Sequence, residues 1–270
     1  MSPRVLITGA SGYLGRRVAL RAAADGFEPV GTAFQSSGAL RLDIRDPGDV
    51  RRVLGEVRPD AIIHTAAGRD RNDWPATADG AAHVAVAAAH LGVRLVHVSS
   101  DAIFSGRAVD YDEDAVPDPV YPYGAAKAAA ETAVRAILPS AAVVRTSLIL
   151  GDGAGDHEIL THDLIAGGVK GALFTDEIRK PVHVDDLAGA LLELAAGDYR
   201  GVLNVAGADA LSRYELGVLV ARRDGLDPAA VPATSLAALG LSRPTDVRLV
   251  TDRAAKVLRT RLRGARSFIG

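Results

Sequence analysis

The chain has 270 residues, of which 48% are hydrophobic and 24% charged, so it can form one large domain or two small ones with a real core. Its net charge of −2 gives no sign of a nucleic-acid or membrane partner. The sequence contains no cysteine, which excludes disulfides, thiolate metal sites and cysteine nucleophiles. We expect a cytoplasmic protein, because the N-terminus leads directly into a strand and no apolar run is long enough to span a bilayer.

The first half of the chain alternates between short apolar strands and helices. Strands are predicted at residues 5–8, 29–33, 61–65, 95–99 and 142–146, and helices at residues 12–24, 47–57, 76–91 and 123–137. This alternation predicts an α/β fold, a Rossmann-type doubly wound parallel sheet with helices on both faces. Ligands of such sheets bind beyond the carboxyl ends of the strands, so we expect the chemistry directly after these five strands.

The alternation loosens after residue 151. Helices are predicted at residues 159–165, 185–196, 212–222 and 252–258, and short strands near residues 182–184 and 202–204. We therefore expect residues 1–150 to form a dinucleotide-binding domain that carries the catalytic residues. Residues 151–270 are expected to form mainly a smaller C-terminal substrate-binding lobe, interleaved with the first domain.

Three glycines follow the first strand in the run TGASGYLG, residues 8–15. Gly9 permits a tight turn, Gly12 lets the backbone approach a pyrophosphate, and Gly15 lets the helix pack closely on the strand. The free N–H groups at the start of the helix then face the phosphates. Because the run lies between a strand and a helix, it predicts a dinucleotide site rather than a plain strand-turn-helix.

Tyr123 and Lys127 lie four residues apart at the start of a predicted helix and therefore share one face. A lysine ammonium lowers the pKa of a nearby phenol, which can then exchange a proton with a carbonyl or hydroxyl group near neutral pH. The alternative is a chance surface pair. Ser100 ends the preceding strand and could donate a hydrogen bond to the same substrate oxygen, although a serine and Asp101 at a strand end also suit an ordinary turn.

The runs TGASGYLG, YPYGAAK and VSSDAIFSG together resemble the extended short-chain dehydrogenase/reductase family. The later segments VVRTSLILG, RKPVHVDDLAGALLELA, GVLNVAGADALSRYELG and SRPTDVRL are similar to the branch of that family that contains dTDP-4-dehydrorhamnose reductase. The resemblance extends from about residue 4 to about residue 258.

This resemblance implies roles for residues at matching positions. Tyr123 would be the proton donor, Lys127 would hold the nicotinamide ribose and tune Tyr123, and Ser100 stands where the branch usually has threonine. Hydride would come from the nicotinamide. The cofactor-binding residues would be Gly9, Ser11, Gly12, Tyr13, Leu14, Gly15, Gln35, Ser36, Asp43, Ile44, Ala66, Ala67, Gly68, Tyr123 and Lys127. The substrate-binding residues would be Ser100, Asp101, Tyr123, Leu148 and Arg243.

The end of the second strand bears on the choice of cofactor. An NAD site usually has an acid there for the ribose 2′-hydroxyl, and residues 32–37 contain none. No arginine stands there to bind a 2′-phosphate, but Gln35, Ser36 and Ser37 could bond to one. This composition favours NADP(H) over NAD(H).

The resemblance implies an NAD(P)H-dependent reductase that acts on the carbonyl group of a nucleotide-activated 4-keto-6-deoxy sugar. It also implies a homodimer. Two alternatives stay open: an NAD-retaining epimerase or dehydratase, and a non-catalytic NADP-binding regulatory subunit. Asp101 is followed by Ala102, so the acid pair of the dehydratases is incomplete. Leu148 stands where the reductase has a tryptophan that contacts the substrate, and Thr77 falls where many relatives have an asparagine of the proton relay.

Several other polar residues have structural interpretations. We expect His64 and His97 to be satisfied core histidines rather than ligands, and no ligand spacing predicts a metal site. The acidic run at residues 110–114 predicts a solvated loop, with a lid as the alternative. Arg243 fits an internal ion pair as well as contact with a substrate diphosphate.

Overall fold

A computed structural model describes residues 2–35, 38–68, 70 and 72–269. Its strands are β1 Arg4–Thr8, β2 Glu28–Ala33, β3 Leu40–Arg41, β4 Ala61–His64, β5 Arg94–Val98, β6 Val109–Tyr111, β7 Ala142–Thr146, β8 Ile149–Leu150, β9 Leu173–Phe174, β10 Ile178–Arg179, β11 Val182–His183, β12 Gly201–Val205, β13 Leu211–Ser212, β14 Ala233–Thr234 and β15 Val247–Leu249. Its helices are α1 Tyr13–Ala24, α2 Pro47–Val57, α3 Gly80–Leu91, α4 Pro122–Ile137, α5 Asp156–Ile165, α6 Val184–Ala196, α7 Arg213–Arg223, α8 Leu236–Leu239, α9 Asp252–Val257 and α10 Ala265–Ile269.

Seven parallel strands form the central sheet in the order β12-β7-β5-β4-β1-β2-β3. The chain runs outward from β1 to β2 and β3, and then returns to the other side of β1 to place β4, β5, β7 and β12. The strand order therefore reverses between β1 and β4. In an open parallel sheet this reversal opens a crevice at the carboxyl ends of the strands, where ligands bind.

Apolar side chains cover both faces of the sheet. On one face Val18 of α1 and Leu187 of α6 pack on β1, β4 and β5. On the other face Leu54 of α2, Val84 of α3 and Val134 of α4 pack on alternate residues of the same strands. Strands buried on both faces carry few polar residues, which is why they read as nearly continuous apolar runs in the sequence. The predicted doubly wound fold is confirmed.

The second half of the chain contributes to both parts of the molecule. Strand β12 extends the central sheet next to β7, and α6 packs against α1. The remaining short strands pair with one another beyond the sheet: β8 with β11, β9 with β14, β10 with β13, and β6 with β15. Residues 151–270 were expected to form mainly a smaller lobe interleaved with the first domain; within this range, the strand predicted near residues 202–204 is β12, which pairs with β7 in the central sheet.

Two predicted segments differ from the structure. The helix predicted from residue 76 begins as a π-helical turn, Pro75–Asp79, and becomes α3 at Gly80. The acidic run of residues 110–114 is not a fully solvated loop, because it begins inside β6 and Glu113 is buried. A carboxylate oxygen of Glu113 accepts a hydrogen bond from the backbone of Asn204 in β12, at 3.2 Å. In the part of the chain that the structure describes, no helix has the length and apolar character needed to cross a membrane.

Candidate active site

A cavity of about 410 Å³ lies at the carboxyl ends of β1, β2 and β4, where the strand order reverses. The predicted cofactor residues that line it are Gly9, Ser11, Gly12, Gln35, Asp43, Ile44, Ala66, Ala67 and Gly68. Ser36, which was also predicted to bind the cofactor, lies outside the described residues. The cavity thus brings together four separate segments of the chain that the sequence interpretation placed at one ligand.

The glycine run has the shape of a phosphate-binding turn. Gly9 has a φ of +72°, and a Cβ atom on Gly15 would lie 2.2 Å from the Gly9 carbonyl oxygen, so both positions require glycine. Helix α1 begins at Tyr13, its N-cap residue Gly12 has no side chain to cap it, and its first turn contains no acidic residue. The N–H groups of that turn are therefore available to an anion, and the positive end of the helix dipole favours one. These features fit the pyrophosphate of a dinucleotide.

A second cavity, of about 290 Å³, begins where the first ends along the glycine run. Ser11 and Gly12 line the first cavity, whereas Tyr13 and Leu14 line the second. The predicted residues Ser100, Asp101, Tyr123 and Leu148 line this second cavity as well. A ligand lying along the glycine run would thus reach from one cavity into the other.

Tyr123 is held at this cavity by the way α4 packs. The helix begins at Pro122, which suits the first helical position because proline has no N–H to leave unpaired. A Cβ atom on Gly124 would lie 2.1 Å from the carbonyl oxygen of Ala102, so only glycine lets the helix approach the turn after Ser100 this closely. Ser100 itself accepts a hydrogen bond from the Ala102 N–H at 3.1 Å, which fixes its side chain at the start of that turn.

Deeper along α4, a buried ion pair joins the helix to β7. The Arg145 guanidinium donates to the Glu131 carboxylate at 2.9 Å and stacks over the Phe104 ring, with Cζ 5.1 Å from its centroid. Both charged side chains are almost completely buried. Removing one partner would leave an uncompensated charge in the core, so the pair fixes the position of α4 relative to the sheet.

Lys127 lies one helical turn after Tyr123 and is buried, with 4% of its surface exposed. Its Nζ donates to the carbonyl oxygen of Val98, the last residue of β5, at 3.1 Å. Burial lowers the pKa of Lys127 from 10.5 to about 8, against the opposite influence of the Glu131 carboxylate. At neutral pH the side chain is therefore still an ammonium group, held near the end of the strand that precedes Ser100.

Charged and hydroxyl side chains line the rest of the second cavity. Asp101 is buried and accepts hydrogen bonds from Ser147 Oγ at 2.6 Å and from Ser100 Oγ at 3.3 Å. Burial raises the pKa of Asp101, although Arg179, 3.7 Å away, opposes this. The cavity therefore presents hydrogen-bonding groups whose positions are fixed by one another.

Glu177 connects three arginines at the edge of this cavity. Its carboxylate lies 2.6 Å from Arg213 Nε, 3.3 Å from Arg243 Nη2 and 3.4 Å from Arg179 Nη2. Burial alone would raise the pKa of Glu177, but the charges of Arg213, Arg179 and Arg243 prevail and lower it. Two roles were predicted for Arg243, an internal ion pair and contact with a substrate diphosphate. In the structure it forms an internal ion pair with Glu177.

Comparison with known proteins places the chain in a family. The sequence model described as the RmlD substrate binding domain matches residues 3–269. The chain belongs to this family. The resemblance predicted from the motifs is thereby confirmed.

Three known proteins are similar to this chain over most of its length. The dTDP-4-dehydrorhamnose reductase of Mycobacterium tuberculosis is 35% identical, over 87% of this chain and 80% of its own length. The crystal structure of dTDP-4-dehydrorhamnose reductase from Bacillus anthracis in complex with NADP superimposes with a TM-score of 0.87 at 26% identity, over 99% of this chain and 97% of that one. Methionine adenosyltransferase 2 subunit beta of Bos taurus is 28% identical, over 93% of this chain and 80% of its own length.

Sequence interpretation did not assign a second set of residues to the candidate site. The residues come from the segment after β7, from α5, from β10 and the loop before it, and from the start of α7, and they line the second cavity: Ser147, His157, Glu177, Arg179 and Arg213. These residues meet through contacts between distant parts of the chain, and no local spacing in the sequence indicates them.

The two strand histidines are buried as expected, but their hydrogen bonding differs from the expectation. His64 Nδ1 lies 2.6 Å from Thr8 Oγ1, and the His64 and His97 rings stack with centroids 5.3 Å apart. His64 Nε2 and both ring nitrogens of His97 have no hydrogen-bond partner among the described residues. Burial lowers the pKa of His64 to about 3, with a further contribution from Lys127, so the ring is neutral at physiological pH.

Proposed function

We propose that this protein is an NADP(H)-dependent reductase that converts the keto group of a nucleotide-activated sugar, a dTDP-4-keto-6-deoxy sugar, to a hydroxyl group. One observation carries the proposal: Tyr123 and Ser100 line a cavity that continues from the glycine run, and the Lys127 ammonium is buried one turn behind Tyr123. This arrangement supplies a proton, a hydrogen bond and a positive charge at one place.

The proposed chemistry divides between cofactor and protein. Reduced nicotinamide, when bound, supplies a hydride to the carbonyl carbon. Tyr123 donates its phenolic proton to the carbonyl oxygen, and Ser100 donates a hydrogen bond to that oxygen as negative charge develops. The nearby Lys127 ammonium stabilises the phenolate that forms, because opposite charges at short range favour the ionised form.

The first cavity supports the cofactor assignment. The uncapped start of α1 and Gly12 would hold the pyrophosphate, and Asp43 and Ile44 would contact the adenine. We propose NADP(H) because Gln35 and Phe34 follow β2, so that the strand end lacks the acid that would repel a 2′-phosphate. The complex of the Bacillus anthracis relative with NADP supports the same choice.

The second cavity supports a sugar substrate. Hydroxyl groups of Ser100, Ser147, Tyr121 and Tyr123 line it together with ion-paired acids and arginines. Fixed donors and acceptors of this kind suit a molecule with several hydroxyl groups, because each buried polar atom of the ligand then finds a partner. Arg213 also lines this cavity, and we propose that it contacts an anionic part of the nucleotide sugar.

Two further properties are proposed with this function. Nucleotide sugars and NADPH are metabolites of the cell interior, so we propose that the protein acts in the cytoplasm. We also propose a homodimer, on the strength of the family resemblance.

The test is NADPH oxidation with dTDP-4-keto-6-deoxy sugars by wild type, Tyr123→Phe and Tyr121→Phe. We expect Tyr123→Phe to lose about 100-fold or more in kcat, because it removes the general acid. Tyr121→Phe is the matched comparison, since its ring lines the same cavity 6.4 Å from the Tyr123 ring; loss of a substrate contact there should raise KM and leave kcat unchanged. Equal rates for wild type and Tyr123→Phe would remove Tyr123 from the mechanism, and NADPH binding without turnover of any ketosugar would favour a regulatory subunit.

A further inference from the structure

The cofactor cavity has a positively charged corner that the sequence does not reveal. Strand β3 pairs with β2 through Thr32 and Leu40, and the loop after it brings Arg45 beside the end of β2. Arg45 is the one arginine or lysine among the described residues that line this cavity. Its guanidinium carbon lies 4.6 Å from the centre of the Phe34 ring, directly after β2.

A second residue holds the Arg45 guanidinium in place. Nε of Arg45 donates to Asp43 Oδ1 and Nη2 donates to Asp43 Oδ2, both at 2.8 Å. This two-pronged pair leaves Nη1 outside the fork. A guanidinium fixed on one edge by a carboxylate and stacked on an aromatic ring loses little further freedom when it binds an anion through its remaining N–H groups.

A neighbouring arginine adds to the positive charge. The guanidinium carbon of Arg41 lies 5.8 Å from the Phe34 centroid, on the same ring that Arg45 approaches. The acids nearby include Asp43, which pairs with Arg45, Asp73, which also lines the cavity, and Asp49, which accepts a hydrogen bond from the Asp43 N–H at 2.8 Å and pairs with Arg52. The Arg45 side chain keeps 40% of its surface exposed, so its charge is available to a ligand.

We propose that Arg45, assisted by Arg41, binds the 2′-phosphate of NADP(H) and thereby gives this protein its preference for NADP(H) over NAD(H). The proposal rests on the proposed function, and it names the residues that select the cofactor. In Rossmann folds the ribose 2′ position lies at the end of the second strand, which is where Phe34 and Arg45 meet. A 2′-phosphate carries between one and two negative charges near neutral pH, and an arginine fork matches its oxygens.

The experiment measures binding rather than turnover. Calorimetric titration of adenosine 2′,5′-bisphosphate and of 5′-AMP compares two ligands that differ only in the 2′-phosphate. We expect Arg45→Met to weaken the bisphosphate about 10-fold or more and 5′-AMP less than about 3-fold, because a charge-assisted contact is lost for one ligand only. Arg41→Met should weaken the bisphosphate by a smaller factor. Arg52→Met is the matched control, since this exposed arginine of α2 pairs with Asp49 and Glu56 and should leave both affinities unchanged.

The same titrations with NADPH and NADH separate this inference from the proposed function. Equal weakening of both fragments by Arg45→Met would overturn the inference, because Arg45 would then act only by orienting Asp43. An unchanged affinity for the bisphosphate would overturn it as well. A wild-type protein that binds NADPH and NADH equally would reject the role of Arg45 and the preference for NADP(H), but it would leave the proposed reduction of the keto group intact. Absence of binding to either dinucleotide would reject both proposals.

Discussion

The buried ammonium of Lys127 should make the native state less stable at neutral pH than a neutral side chain would. Lys127 lies in the core with 4% of its surface exposed, and burial lowers its pKa from 10.5 to about 8. An unfolded chain keeps the ordinary pKa, so it binds the proton more tightly than the folded protein does. Replacement by methionine, Lys127→Met, removes this penalty while it conserves the length and apolar character of the side chain.

The magnitude follows from the difference in pKa. At about 1.4 kcal/mol for each pH unit between 10.5 and about 8, the charged lysine costs the folded state about 3 kcal/mol. Methionine cannot donate to the Val98 carbonyl oxygen, and the loss of that hydrogen bond costs about 1 kcal/mol. We therefore expect Lys127→Met to be more stable than wild type by about 2 kcal/mol at pH 7.

The sign of the effect should change with pH. A lysine with a lowered folded-state pKa destabilises the protein below pH 8, and this destabilisation disappears as the pH rises from about 8 to 10.5. Above that range only the lost hydrogen bond remains, so Lys127→Met should become the less stable protein by about 1 kcal/mol. Urea unfolding of both proteins between pH 7 and pH 10.5 measures the difference, and a Tyr123→Phe background removes the titration of the neighbouring phenol from both.

A difference in unfolding free energy that stays constant across this pH range would refute the reasoning, since the lysine would then titrate alike in both states. The same variant should lose reductase activity, because the phenolate of Tyr123 loses its nearby positive charge. A gain in stability together with a loss of turnover would identify Lys127 as a residue kept for chemistry at a cost in folding free energy.

Three further predictions concern other parts of the molecule. Gly15→Ala should weaken NADPH binding at least about 10-fold, because its Cβ would lie 2.2 Å from the Gly9 carbonyl oxygen. Gly55→Ala in α2 is the control and should leave binding unchanged, because a Cβ there meets no atom within 4 Å. Fluorescence titration compares the two variants, and equal affinities for NADPH would contradict the role of the close contact. Glu177→Gln should destabilise the protein by about 3 kcal/mol in urea, because it leaves three arginines without their shared carboxylate; an unchanged midpoint would show that they find other partners. The buried ring of His64 has a pKa of about 3 and stays neutral in the folded protein, whereas the unfolded chain takes up a proton at this ring below pH 6.5. The free energy of unfolding should therefore fall by about 2 kcal/mol between pH 7 and pH 5. Thermal melts of His64→Gln should show a smaller loss over this range, and a loss equal to that of wild type would mean that His64 does not remain neutral.

Local signals in the sequence predicted the centre of the site because its residues are close together along the chain. Tyr123 and Lys127 share one turn of α4, and the glycine run is a single turn between β1 and α1. Each of these features depends on contacts within about eight residues, and short-range backbone geometry determines them. The alternation of apolar strands with helices likewise predicted the sheet, because each strand is buried by its immediate neighbours.

The periphery of the site depends on contacts between distant residues, and these left no pattern in the sequence. Glu177 meets Arg213 across 36 positions, through the pairing of β10 with β13. Arg45 reaches the end of β2 only because the two-residue strand β3 pairs with β2, and such a short strand has no recognisable period. The position of β12 beside β7 could not be predicted for the same reason, since an apolar run does not specify its partner.

Two positive charges are proposed for the cofactor site, Lys127 for the reaction and Arg45 for the choice of cofactor, and they differ in burial. Lys127 is buried, where the medium screens a charge weakly, so in the proposed mechanism its charge acts on Tyr123, and a substitution there should change both the folding free energy and the reaction. Arg45 keeps 40% of its side chain exposed at the rim, where a charge costs little and water compensates for its loss. A substitution at Arg45 should therefore alter the affinity for the 2′-phosphate while the protein stays folded and Tyr123 keeps its proton chemistry. It follows that cofactor preference can change in this fold through one rim residue, without any change to the groups that act on the carbonyl.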